Sequence, residues 1–239
     1  MILLTEYFIS DNPDRQKEYE TCLGLNIKNT HVEKIILFNS DNSPLKKDSE
    51  KIEMLNVKER PTYKDIFNYC NENLKNEICI IANADIILDD SLSNITKENI
   101  TGKFLALSRW DILDNNKAQL YDWSYSQDCW IYLAPHDLQG GEYTMGRLGC
   151  DNRIAYDAKA SGLEVTNPAK LIKTFHLHRS NHRTYKQDDI LMGDFLFVET
   201  NSSMDQISEN MICDPRTLNQ AVQFVQRKKM MKNGHFNNI

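Results

Sequence analysis

Glu77-Ile78-Cys79-Ile80-Ile81-Ala82, followed without a break by Asn83-Ala84-Asp85, is the stretch that decides the fold. Its apolar side chains come in succession and leave no polar face, so Glu77–Ala82 reads as a strand buried on both sides. Such strands belong to parallel sheets covered by helices, and ligands bind just outside the carboxyl ends of those strands. Asn83, Ala84 and Asp85 are therefore candidate site residues.

Working outward, Ile2–Ile9 reads as a strand, and Asn12 as N-cap with Pro13 at the first helical position starts a helix to about Leu25. Lys34–Asn39 (KIILFN) is a second buried strand, stopped by Ser40-Asp41-Asn42-Ser43-Pro44; Asn39 at its end is a further site candidate. Ile52–Val57 reads as a third strand. Arg60-Pro61-Thr62 then opens a helix whose Tyr63, Ile66, Phe67, Cys70 and Leu74 form one continuous stripe. The order β-α-β-β-α-β predicts a layered α/β fold with a largely parallel sheet.

The second half is less regular. Lys103–Ser108, Trp130–Leu133 and Thr174–His178 read as strands, and Asp151–Ser161 as a helix that stops at Gly162. A last helix is expected from Asp214-Pro215 to about Met231. No linker separates two units, so one domain is expected over 1–239: a ligand-binding half at 1–100, a catalytic half at 101–190 and a helical extension at 191–239.

Composition bounds the function. The 239 residues are 41% hydrophobic and 26% charged, which suits a globular chain and excludes wholesale disorder. Against 34 acidic residues stand 28 Lys and Arg, a net charge of −6 that argues against a nucleic-acid binder. No run approaches the roughly 18 apolar residues of a spanning helix, and Met1–Leu4 lacks the basic flank of a signal peptide. The basic stretch Arg227–Lys232 suits either water or an anionic membrane surface. Six scattered cysteines without a C-x-x-C pair look like buried thiols of a reducing compartment, so a cytoplasmic location is expected.

Four constellations carry candidate chemistry. Asp85, just past the buried strand, is placed to hold a hard divalent cation or simply to begin a turn. His176 and His178 would face one side if both lay on a strand, and His182 and Arg183 follow closely. In Gly146-Arg147-Leu148-Gly149-Cys150-Asp151-Asn152, Asp151 suits either a general base or a helix N-cap. In Ser126-Gln127-Asp128-Cys129-Trp130, Asp128 can bond an acceptor hydroxyl, and Trp130 reads as a sugar-stacking face or as core.

The order of these segments resembles the small GT-A-fold glycosyltransferases of microbes and large viruses. It rests on Asn83-Ala84-Asp85 where that family carries D-x-D, on Ser126–Tyr132, on Gly146–Arg153, and on Asn167–His178 with Ser180–Tyr185. The resemblance covers about residues 1–185 and implies a Rossmann-like three-layer αβα sandwich with a mixed, mostly parallel central sheet. It also implies an Mn²⁺- or Mg²⁺-dependent inverting transfer from a nucleotide-sugar donor, with UDP-sugars favoured, to a hydroxyl of a glycan or other acceptor. Asp85 and His178 would hold the metal, with His176 the second choice between the histidines, and Asp151 would be the catalytic base. Asn39, Arg60, Thr62, Asn83, Ala84, Asp85 and Arg183 would contact the donor, and Asp128 and Trp130 the acceptor. Asn83 departs from D-x-D by one charge, which leaves an inert nucleotide- or glycan-binding relative as the alternative. A metallophosphoesterase ranks behind both, because no early D-x-H and no G-N-H-[DE] segment is present.

Overall fold

The structure is a computed structural model that describes residues 1–115, 117–180, 189–206, 210–213 and positions 220, 222, 223, 226 and 229. The chain opens with β1 (Ile2–Tyr7), α1 (Pro13–Lys28), β2 (Lys34–Asn39), β3 (Ile52–Asn56), α2 (Tyr63–Asn73) and β4 (Ile78–Ala82), the order expected from the periodicity. Asn12 caps α1 by accepting from the N–H groups of Asp14 and Arg15, and Thr62 caps α2 in a reciprocal box with Asp65.

After β4 come β5 (Ile86–Leu88), a 3₁₀ turn (Asp90–Asn94), α3 (Lys97–Ile100), β6 (Lys103–Leu107), β7 (Trp110–Ile112), β8 (Ala118–Leu120) and β9 (Cys129–Leu133). Then follow α4 (Cys150–Ala160), β10 (Glu164–Thr166), β11 (Thr174–His176), β12 (Phe195–Val198) and β13 (Asn210–Cys213). The central sheet has the order β10-β6-β9-β4-β1-β2-β3. The β1, β2, β3 and β4 pairings are parallel, while β9 runs antiparallel to both β4 and β6. The fold is thus a mixed, mostly parallel, Rossmann-like three-layer sandwich, as the alternation of elements predicts.

Strand alternation divides the core in two. Leu4, Ile36, Ile81, Trp130 and Phe104 pack with α2 and α4 on one face. Leu3, Ile35, Ile80, Ile131 and Leu105 pack with α3 and the apolar edge of α1 on the other. Residues two apart on a strand face one side, so successive apolar positions feed opposite layers and a strand such as β4 must be apolar throughout.

The sheet also dictates where the site lies. Because β9 is reversed, its amino end at Cys129 sits opposite Ala82 at the carboxyl end of β4, and beside Leu107 at the end of β6. Asn83–Asp85, Asp128 and Arg109 therefore leave the sheet at one edge. A smaller sheet, β5-β11-β7-β8, covers that edge, and its register sets His176 between Ile86 and Asp111.

Two expectations need correction here. β11 ends at His176, so His178 lies just past the strand; the two imidazoles do meet at one site, but strand alternation is not what brings them there. The N-cap of α4 is Gly149, not Asp151; its φ of 82° is left-handed, and a Cβ there would stand 2.9 Å from Phe195 Cε1. Glycine meets both demands at once. The helix expected from Asp214 to Met231, with its basic end, falls largely outside the described residues.

Candidate functional site

Asp85 is buried at 6% exposure just beyond β4. Its Oδ2 accepts from an Arg15 guanidinium nitrogen and from His176 Nε2 at 3.1 Å, and stands 4.0 Å from His178 Nδ1. Candidate ligand atoms of Asp85, His176 and His178 all lie within 4.8 Å of one another, a candidate metal triad. Its chemistry fits a cation, because Asp85 Oδ1 and His178 Nε2 are both buried without a hydrogen-bond partner among the described residues. Burying two unpartnered polar atoms is costly unless something else satisfies them.

The electrostatics of the three groups differ. Burial would raise the Asp85 carboxyl, but the hydrogen bond and charge of His176, with the charge of Arg15, hold it well below the usual carboxylate range. Burial would lower His176; hydrogen bonds to Asp111 and Asp85, and the charge of Asp85, instead carry it up to about 9. His178 is lowered, by burial first and then by the charges of Arg15 and His176, which keeps its imidazole neutral and fit to ligate.

A chain of alternating charges leads from this cluster along the sheet edge. His176 Nδ1 donates to Asp111 Oδ1 at 2.9 Å, and Arg109 Nε donates to the same oxygen at 2.9 Å. Arg109 Nη1 donates to Asp128 Oδ2 at 2.8 Å, and Asn83 Nδ2 to Asp128 Oδ1 at 3.0 Å. Next to Asp128 lies Asp151, in the first turn of α4. Its carboxylate accepts N–H bonds from Gln127 at 3.2 Å and Asn152 at 3.1 Å. Burial and then the charge of Asp128 push the Asp151 carboxyl up to about 7, against those two hydrogen bonds. A carboxyl poised near neutrality is suited to take a proton.

Beside the cluster a shallow cleft runs between the end of β1 and α1. Tyr7, Phe8 and Tyr19 line it, with Tyr19 packed between Arg15 and Phe8; Lys46, paired with Glu20, and Lys47 stand at the rim, and Asn83 and Ala84 form its border with Asp85.

The structure sorts the remaining sequence candidates. Asn83, Ala84, Asp85, Asp128, His176 and His178 gather at the sheet edge with Asp151 nearby. Asn39 is 1% exposed and its amide is spent on Ser43 O and Asn56 Oδ1, so it closes the β2–β3 turn and offers no group to a donor. The Thr62 hydroxyl is likewise committed to capping α2. Arg60 forks onto Glu6 with two bonds of 2.6 Å. Trp130 is not an acceptor face: it is 1% exposed and packs edge-on against Tyr63 at 5.3 Å. Arg183 and His182 lie outside the described residues.

Four residues of the site escaped the sequence reading: Arg15, Glu18, Arg109 and Asp111. A signal for the first two exists. The buried face of α1 carries Arg15, Glu18, Cys22 and Asn26 at i, i+3, i+7 and i+11, a helical stripe made mostly of polar side chains. A helix that buries its polar stripe is bonding something, and here Arg15 bonds Asp85 while Asn26 bonds Ile86 O and Leu88 N–H. Arg109 and Asp111 flank Trp110 with no comparable pattern.

No family model matches the chain, and no curated protein matches it. Among solved structures it is similar to the bifunctional IspDF from Campylobacter jejuni, at 14% identity and a TM-score of 0.39, over 82% of this chain. The chain spans 56% of the length of that protein. The expected kinship with GT-A glycosyltransferases is corrected: the motifs behind it are short, no family model answers to them, and Trp130 serves packing. No helix among the described residues is long and apolar enough to cross a membrane.

Proposed function

We propose that the protein is a metal-dependent transferase that moves a sugar from a nucleotide-sugar donor to an acceptor hydroxyl with inversion. The observation that carries this reading is the pairing, along one sheet edge, of the Asp85–His176–His178 triad with the Asp151 carboxyl near neutrality. Kinship plays no part in it.

Asp85, His176 and His178 would hold the cation, His176 after releasing the Nε2 proton it now donates to Asp85, and the cation when bound neutralises charge on a leaving diphosphate. A donor set with two imidazoles favours Mn²⁺ over Mg²⁺, which prefers oxygen ligands. Lys47, at the rim of the cleft beside Asn83 and Ala84, would stand near the anionic groups of a donor. Asp151 would take the proton of the acceptor hydroxyl as its oxygen bonds the anomeric carbon. The bond from that carbon to the diphosphate breaks, and the nucleoside diphosphate departs with the electron pair. Asp128 bonds Arg109 and Asn83, so it acts on Asp151 by its charge. A cytoplasmic setting belongs to the same proposal and is supported by the buried thiols of Cys22, Cys70, Cys79, Cys129 and Cys150.

A thermal-shift screen tests the reading, with UDP-, GDP-, dTDP- and CMP-sugars, each with Mn²⁺, Mg²⁺ or EDTA. A ligand at 100 times its dissociation constant stabilises by about 2.7 kcal/mol, which moves the midpoint visibly. The expected result is stabilisation by one nucleotide class with Mn²⁺ and none with EDTA, followed by sugar transfer. Stabilisation without transfer would favour an inert nucleotide-binding protein, for which the uncharged Asn83 speaks. No shift with any donor overturns the proposal.

A further inference from the structure

We propose that Glu18 is a positioning residue of the metal site: from α1, without touching a ligand atom, it fixes the Leu177–Ser180 segment and so keeps His178 within reach of Asp85. The inference rests on the metal reading and extends it to a residue outside the donor set. β11 ends at His176, so the chain that carries His178 has left the ladder that aligns His176 with Ile86 and Asp111. One more backbone bond, from Leu177 N–H to Asp85 O at 3.0 Å, precedes His178, and Glu18 takes over beyond it. Its Oε1 accepts the N–H of Arg179 at 2.6 Å and of Ser180 at 2.8 Å, and its Oε2 accepts the Ser180 hydroxyl at 3.1 Å. Arg15, three residues earlier on the same face, donates to Glu18 Oε2 at 2.7 Å and to the Leu177 carbonyl at 3.3 Å.

Glu18 is only 7% exposed, so these bonds are shielded from water and are strong constraints. The carboxylate grips the backbone one and two residues beyond His178. A loop anchored that closely holds its imidazole near one orientation, and a pre-ordered ligand loses less entropy when a cation binds. The same carboxylate also carries a negative charge, so reach and charge must be separated.

Two conservative variants of the full chain separate them. Glu18→Asp keeps the charge and withdraws the oxygens by one methylene; Glu18→Gln keeps the reach and an acceptor for the Arg179 and Ser180 N–H groups, but loses the charge and the acceptor that Arg15 uses. Mn²⁺ binding is measured by calorimetry, with circular dichroism to confirm the fold. Outer-shell changes typically weaken metal affinity by about 10- to 100-fold, and that loss is expected for Glu18→Asp, with Glu18→Gln nearer to wild type. In a His178→Ala background Glu18→Asp should have no further effect, because the constraint acts through His178. A larger loss with Gln than with Asp, an equal loss in both backgrounds, or no loss at all overturns the proposal. Failure of the unaltered protein to bind Mn²⁺ would instead overturn the metal reading itself.

Discussion

His176 and Asp111 sit on paired strands with Nδ1 and Oδ1 2.9 Å apart, and this contact turns the other imidazole nitrogen toward Asp85. A carboxylate behind a ligating histidine fixes ring orientation and raises ligand basicity. Asp111→Asn is therefore expected to weaken Mn²⁺ binding by about 10- to 100-fold. Calorimetric titration of the variant checks this, and an unchanged dissociation constant would remove Asp111 from the site.

Asp85 is the anion that balances Arg15 and His176 in a buried setting. Asp85→Ala leaves Arg15 to Glu18 and His176 to Asp111; a buried charge left with no partner costs about 3–5 kcal/mol, and these remaining anions bring the loss to the lower end of that range. Urea unfolding of metal-free protein should show a loss of that order, and Mn²⁺ binding should vanish. A variant as stable as wild type would contradict the buried pairing.

Asp151 gives stability a pH dependence of definite sign. Its folded carboxyl is raised to about 7, above the ordinary aspartate value, so the fold favours the neutral form. The cost of charging it is absent below about pH 4, grows by about 1.4 kcal/mol per pH unit between the unfolded and folded values, and is complete above about 7. Asp151→Asn should accordingly stabilise the protein more at pH 8 than at pH 5 in paired urea titrations. Turnover moves the other way: it requires the carboxylate, so the rate should rise through pH 7, and the variant should lose about 10²-fold or more. Normal transfer by Asp151→Asn would refute its role as base.

Gly149→Ala tests the start of α4. The residue sits at φ 82°, and a Cβ would press on Phe195. Replacement where φ is positive destabilises by more than about 1 kcal/mol, and chemical denaturation should reveal at least that. Because α4 positions Asp151, the same variant should lower the turnover of whatever folded protein remains.

Much of this molecule is legible in local patterns. The apolar run before Asn83, the stripe from Tyr63 to Leu74 and the Asn12-Pro13 start each declare an element, because burial on a given face depends on neighbours two, three or four positions away. Asp85 follows from the same logic, since strand ends in an open α/β sheet face the ligand. The partners of Asp85 do not. Arg15 meets it across 70 residues and His176 across 91, while Glu18 holds Ser180 across 162. Whether a polar side chain on α1 faces water or a buried carboxylate depends on the packing of the small sheet over the central one, and no local periodicity encodes that. Trp130 shows the converse: its aromatic ring suits stacking or packing equally in the sequence, and the layer of α2 above β9 alone decides for packing. Local chemistry determined the strands and helices and marked Asp85, His176 and His178 one by one; the long-range closure of two sheets decided that they meet, and that Arg15, Glu18 and Asp111 surround them.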